Sequence, residues 1–335
     1  MTRALIALLV IVGFGSAAMA LAGVNPVDGF SALLVGALGS SPEVAETLVQ
    51  TTALLFPALG IALAFRAGLF NIGAEGQLIV GGLFVGVVGE HLIAPGFLAI
   101  PILLALGALG GGVWGALAGA LRARFEANEV IATLMLNIVA RLFAAYVIAG
   151  PLKSAAGGSG EETGSLPAAS WLPTLIPDTR LTISLLLAIA LALFLRWLFR
   201  SSVIGYELRA AGDAPETARR AGIDLAKTAF WAMAASGAIA GLGGATIVMG
   251  VLHRFNLALS PGYGFIAIAV ALVGDLNPLW ICVAAFGFGI LEAGGLAMQA
   301  LADVPKDAIH VIEGLIILVL AARRYVATRA EGVPI

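Results

Sequence analysis

Residues 97–121 read FLAIPILLALGALGGGVWGALAGAL, and Arg122 and Arg124 lie just beyond. No charged side chain interrupts the run. As a helix rising about 1.5 Å per residue it covers the roughly 30 Å hydrocarbon layer of a bilayer. Such a run is too long and too free of charge for the buried helix of a soluble bundle. Gly111, Gly115 and Gly119 recur every four residues in it, a ladder that lets neighbouring helices approach closely.

Comparable runs recur at 4–23, 47–65, 70–90, 129–150, 181–199, 228–251, 263–274, 278–300 and 308–322. Two of them carry further ladders, Gly82 with Gly86 and Gly237 with Gly241. Together they predict an all-α polytopic transmembrane bundle of about ten spans, a single membrane domain over residues 1–335. Composition agrees: 60% of the 335 residues are hydrophobic and 11% charged, against about 25% charged in soluble domains. The run 263–274 is too short for an ordinary span, so it tilts, breaks or re-enters, which is tolerated where backbone is buried in protein. Met1-Thr2-Arg3, an apolar run and Ala18-Met19-Ala20 have the features of a signal peptide, but the run is long enough to span and is read as an uncleaved first helix. A net charge of −2 gives no sign of a nucleic-acid partner. Cys282 alone builds no disulfide framework or cysteine zinc site, and three scattered histidines suggest no metal.

Basic residues orient the bundle. With the N-terminus inside and the spans alternating, Arg3, Arg66, Arg122, Arg124, Arg196, Arg200, Arg209, Arg219, Arg220, Lys227, Arg323, Arg324 and Arg329 fall on the cytoplasmic side. Lys153, Arg180, Arg254 and Lys306 fall outside. Both termini are then cytoplasmic. Residues 151–180, with a Gly/Ser-rich stretch at 156–160 and Trp171, read as an external loop. Residues 200–227, the most charged part of the chain, read as an internal one.

Within that internal loop, residues 205–223 read GYELRAAGDAPETARRAGI. Asp213 suits the N-cap of a short helix with Pro215 in its first turn and Glu216 three residues after the cap. Arg219 and Arg220 complement its C-terminal dipole, and Gly222 ends it. A capped amphipathic helix is more than topology requires, and we read it as a docking element for a cytoplasmic partner. The segment resembles the coupling loop of ABC importer permeases of the branched-chain amino acid, ribose and nucleoside group. Three other stretches agree: GLFNIGAEGQ at 68–77, NEVIATLMLN at 128–137, and SPGYGF at 260–265 followed by GDLNP at 274–278. The stretch 128–137 looks like the signature of the nucleoside and simple-sugar branch. The resemblance covers roughly residues 45–325.

It implies a permease subunit of a bacterial inner-membrane importer, carrying a nucleoside or, second, a simple sugar. Implied partners are cytoplasmic ABC ATPase subunits, a second permease subunit (the same chain or a different one) and an external substrate-binding protein. Gly205, Glu207, Arg209, Gly212, Asp213, Glu216, Ala218, Arg219 and Gly222 would form the ATPase contact. Lys153, Lys227 and Lys306 sit in no Gly-x-x-x-x-Gly-Lys-Ser/Thr loop, so no cofactor is expected on this chain, and ATP would be used by the partner ATPases.

Polar residues inside a membrane are expensive and are candidates for function. Glu129, Thr133, Asn137 and Arg141 recur every four residues and form one slowly rotating stripe, either lining a pathway or joining helices. Asn137 offers both donors and an acceptor for a sugar hydroxyl or a base edge. Arg141 either faces the pathway or pairs with Glu75 or Glu292. Asn71, Glu75 and Gln77 open the 70–90 run, where Glu75 either binds ribose hydroxyls or caps backbone. Phe70, Phe143 and Tyr146 are aromatic candidates for base stacking, and Glu292, His310 and Glu313 are further polar ones. The rival reading is an ion-coupled secondary transporter using Glu75, Glu292 and His310. No catalytic constellation of carboxylates, Ser/His pairs or metal ligands is visible, which argues against an enzyme.

Overall fold

The structure is a computed structural model describing residues 2–153, 161–305 and 314. The run 308–322, with His310 and Glu313, and the stretch 156–160 lie outside the described residues. In chain order the helices are α1 (Thr2–Leu21), α2 (Pro26–Leu38), α3 (Ser41–Arg66), α4 (Ala74–Gly89), α5 (Gly96–Phe125) and α6 (Glu129–Ala149). They continue with α7 (Ser184–Ser201), α8 (Val203–Asp213), α9 (Pro215–Arg220), α10 (Leu225–Ile247, extended by a π-helical turn at Val248–Leu252), α11 (Tyr263–Val273) and α12 (Pro278–Ala302). Six of them, α3, α5, α6, α7, α10 and α12, are long and apolar enough to cross a membrane. Residues 12–38 of α1 and α2 form a pair bent by 114° that also qualifies as a broken span. That makes six or seven candidate spans among the described residues. The helix missing from the sequence reading is α2: thirteen residues fall below the length of a span, although Asn25 caps it by accepting the Val27 N–H at 3.1 Å and Pro26 opens it.

The chain divides into two compact units, Met1–Gln50 with Phe286–Ile335, and Thr51–Ala285. In the first, Met19, Ala32, Leu33, Met298 and Val304 build a small apolar core, and Gly29, Gly36 and Gly294 bring α2 close to α1 and α12. In the second, α4, α5 and α10 form the centre. Gly107, Gly111 and Gly115 of α5 face Gly237 and Gly241 of α10 so closely that a Cβ on Gly111 would collide with the Gly237 carbonyl. Gly244 meets the Leu78 carbonyl of α4 in the same way. Lipid tails are as apolar as leucine, so this close backbone packing, rather than hydrophobic exclusion from water, joins the helices. Within its most apolar window α10 is 72% buried, whereas α5, α6 and α7 are 28–33% buried and turn their other faces outward.

Two elements of this unit stop short of a full crossing. α4 has 16 residues, about 24 Å of helix, and α11 has 11. After α10 the chain bends at His253 (φ 55°) and runs back along α4: Phe255 packs on Gly86, Leu259 on Gly82, and Gly264 on Glu75. From Gly86 to Glu75 α4 rises about 16 Å, so α11 starts that far inside. The short run 263–274 is thus a half-helix reached by a re-entrant segment. The turn before α4 dips in from the other end, where Asn71 reaches Ser236, eleven residues into α10. The N-termini of both half-helices therefore lie in the interior.

Candidate functional site

A helix N-terminus buried in apolar surroundings leaves N–H groups that water cannot reach. Side chains satisfy them here. Glu75 Oε2 accepts the Gly264 N–H at 2.8 Å and the Ser260 hydroxyl at 2.9 Å. Ser260 Oγ in turn accepts the N–H groups of Tyr263 (2.9 Å) and Gly262 (3.2 Å), capping α11. Gly262 has φ 112°, a backbone conformation that favours glycine. On the α4 side, Asn137 Oδ1 accepts the Gly76 N–H at 2.8 Å while its Nδ2 donates to the Ile72 carbonyl at 2.9 Å. Thr133 Oγ1 accepts the Ile72 N–H at 3.3 Å and donates to the Glu129 carbonyl at 2.7 Å. Asn71 and Gln77 pair through their amides (2.9 and 3.2 Å), and Asn71 also donates to Ser236 Oγ at 2.7 Å and accepts the Gly73 N–H at 2.9 Å.

Where the two N-termini meet, a cavity of about 470 Å³ opens, within the usual range for small-molecule sites. Glu75, Asn137, Arg141, Ser260 and Phe265 line it together with Ile79, Ile138 and Leu142. Phe265 is 45% exposed, and its ring forms an aromatic wall. Arg141 acts on Glu75 through space but makes no salt bridge among the described residues, so its guanidinium is available to the cavity. Both bonds to Glu75 end on Oε2, leaving Oε1 as a further acceptor. One rim therefore offers a fixed five-donor fork, a carboxylate oxygen and an aromatic face.

The sequence candidates separate into three groups. Glu75, Asn137 and Arg141 reach the cavity. Asn71, Gln77 and Thr133 are buried and bonded to the protein itself. Glu129 sits at the start of α6 in an ion pair with Arg122 of α5 (3.5 Å), tying two helix ends, and Glu292 lies half-buried on α12 in the other unit. The four-residue stripe is thus divided: its middle joins helices and its Arg141 end faces the cavity. Phe70 packs on Phe65 (4.9 Å), Phe143 stacks on Trp114 (5.8 Å), and neither they nor Tyr146 line the cavity. Sequence reasoning did not assign roles to Ser260 and Phe265. The signal was there in Ser260-Pro261-Gly262 ahead of an apolar run, a helix-start pattern.

The charged segment 200–227 also departs from expectation. It forms two helices, α8 and α9, instead of one. Asp213 ends α8 and does not cap α9, whose first residue is Pro215 and whose cap position, Ala214, makes no side-chain bond. Ser202 caps α8 by accepting the Gly205 N–H at 2.9 Å. Gly222 (φ 88°) closes α9 as expected, with Ile223 N–H to the Ala218 carbonyl (3.0 Å) and Gly222 N–H to that of Arg219 (3.1 Å), a Schellman end. Gly205 lies against Leu198 and Phe199, and Gly212 against the Arg66 carbonyl and Gly68, so α8 is seated on the ends of α7 and α3. Leu208 and Ala218 are buried, Glu207 and Arg209 half-buried, and Glu216 and Arg219 form an exposed ion pair (3.2 Å) at the tip.

The chain matches the family model described as branched-chain amino acid transport system / permease component over residues 43–321. It is 34% identical to a guanosine ABC transporter permease protein of Bacillus subtilis over 321 residues, 95% of this chain and 92% of that one. It is 31% identical to a nucleoside ABC transporter permease protein of Lactococcus lactis (96% and 91% covered) and 30% identical to a glucose ABC transporter permease protein of Haloferax volcanii (95% and 86%). No solved structure matches. These matches, with the several apolar spans, show the family: the chain belongs to the branched-chain amino acid transport system permease component family, as a multi-pass inner-membrane ABC permease.

Proposed function

We propose that this permease imports a nucleoside through the cavity between Glu75, Arg141 and Phe265. The observation that carries the proposal is the meeting of two half-helix N-termini at that cavity, with one aromatic wall and a guanidinium that makes no salt bridge among the described residues. The ribose hydroxyls would bond Glu75 Oε1 and Arg141, and the base would lie on Phe265. The guanosine and nucleoside permeases among the relatives support this substrate class, and the glucose permease favours a simple sugar as the second reading.

In this reading the arginine-bearing end is cytoplasmic, with both chain termini on that side. Partner ATPases hydrolyse ATP and dock on α8 and α9, and an external binding protein delivers substrate at the opposite end. ATP binding presses on α8, which leans on the turn between α3 and α4, and so biases the half-helices between outward and inward openings. In this reading the permease pairs with a second, different permease; in support, Bacillus subtilis and Lactococcus lactis each have two different permease proteins similar to this chain.

The test is uptake of labelled guanosine and of labelled glucose by the assembled transporter, wild type beside Arg141→Ala. Guanosine uptake that Arg141→Ala reduces at least tenfold, with the complex intact, is the expected result. Glucose uptake in place of guanosine moves the assignment to the sugar class. Wild-type uptake rates in Arg141→Ala remove the cavity from the pathway.

A further inference from the structure

A second cavity of the larger unit, about 360 Å³, lies at the arginine-bearing end and is lined by Arg66, Arg196, Arg200 and Arg209 with Phe199 and Asn277. The four arginines come from the end of α3, the last two turns of α7 and the middle of α8. Arg66 is anchored: Nε and Nη2 donate to the Leu276 carbonyl at 3.4 and 3.2 Å, and its guanidinium lies 5.5 Å from the centre of the Phe199 ring. Arg196, Arg200 and Arg209 make no salt bridge among the described residues. Asp213 and Asp275 act on Arg66, but neither lines the cavity.

Four like charges around one hollow repel one another, and the field they focus there draws an anion. Guanidinium forks match the oxygens of phosphate in spacing and plane. Trp197, 55% exposed between Arg196 and Arg200, is the kind of side chain that marks the level of lipid headgroups.

We propose that this cavity binds a phosphate-bearing anion, supplied by an anionic phospholipid headgroup or by free phosphate. Bound there, the anion ties α8 to the ends of α3 and α7. It would thereby stiffen the element that Gly212 seats against Arg66 and Gly68. The site does not depend on which solute the permease carries.

The test uses the full-length chain with its partner subunits, taken from vesicles of equal phosphatidylcholine and phosphatidylglycerol. Retained lipid is identified by native mass spectrometry, and inorganic phosphate is titrated in a separate sample. Expected is selective retention of phosphatidylglycerol, or saturable binding of phosphate. Each of Arg196→Gln and Arg209→Gln should weaken either one about fivefold, and Arg124→Gln, on the same end but outside the cavity, should not. Lipid retention alone identifies the headgroup as the source, and phosphate binding alone identifies the soluble ion. The proposal is overturned if neither anion binds, or if Arg124→Gln weakens binding as much as the cavity changes do. Using two single substitutions on different helices keeps the outcome readable should one of them fail to fold.

Discussion

Replacing Asn137 with alanine separates a helix-joining role from a substrate-contacting one. Its side chain is 7% exposed and makes two bonds to the turn before α4: it accepts the Gly76 N–H and donates to the Ile72 carbonyl. Alanine leaves one backbone donor and one backbone acceptor without partners. Each such buried group costs about 1–3 kcal/mol. The cavity beside Asn137 lets water reach part of the gap, so the low end of the range applies, about 1–1.5 kcal/mol for each group and about 2–3 kcal/mol in all. At about 2.1 cal/mol/K of unfolding entropy per residue, 335 residues convert that to a fall in Tm of roughly 3–4 °C. The assay is thermal unfolding of the purified permease in detergent, followed by uptake at a temperature where the variant is still folded. Asn137→Ala should lower Tm by that amount, and Thr133→Val by less, because Thr133 holds a single long bond to the same turn. An unchanged Tm combined with a raised KM for uptake would refute the reasoning, because it would mean that the Asn137 amide serves the substrate instead of the turn.

Two further outcomes follow from packing. Gly111→Ala drives a Cβ into the Gly237 carbonyl of α10, backbone against backbone, and should cost about 1–3 kcal/mol, whereas Gly287→Ala on α12 meets nothing within 4 Å and should be neutral or gain up to about 1 kcal/mol; Tm values of the two variants check this. Gly212→Asp collides with the Arg66 carbonyl and should unseat α8, lowering both Tm and ATPase recovery in co-purification, while Glu216→Lys breaks only an exposed pair and should lower recovery with Tm unchanged within about 1 °C.

Which parts of this molecule were legible in the chain depends on the range of the interactions that set them. Long apolar runs such as 97–121 and 228–251 appear as α5 and α10 within a few residues, because the pattern that makes a span is local. The run 263–274 betrayed itself by being too short. The four-residue stripe from Glu129 to Arg141 was visible as a stripe, but its division was not. Nothing near Asn137 in sequence says that its partners are Ile72 and Gly76, more than 60 positions away, while Arg141 makes no salt bridge among the described residues. Asp213 was misassigned because its neighbours fit a cap; α8, with Leu208 buried, instead runs on through Asp213 and leaves Ala214 as the joint.

By itself the sequence determined that this is a polytopic helical membrane protein with a charged loop between the 181–199 and 228–251 runs, because hydropathy, charge placement and glycine spacing act over a single helix. Only the tertiary structure decided that α4 and α11 are half-helices meeting in the interior, that Glu75 holds the start of α11 through Ser260 and Gly264, nearly 190 residues on, and that Arg141 is left facing the cavity. The physical reason is that a buried polar group takes whichever partner the packing brings near, and that packing is set by close contact between glycines of α4, α5 and α10 that no local pattern pairs.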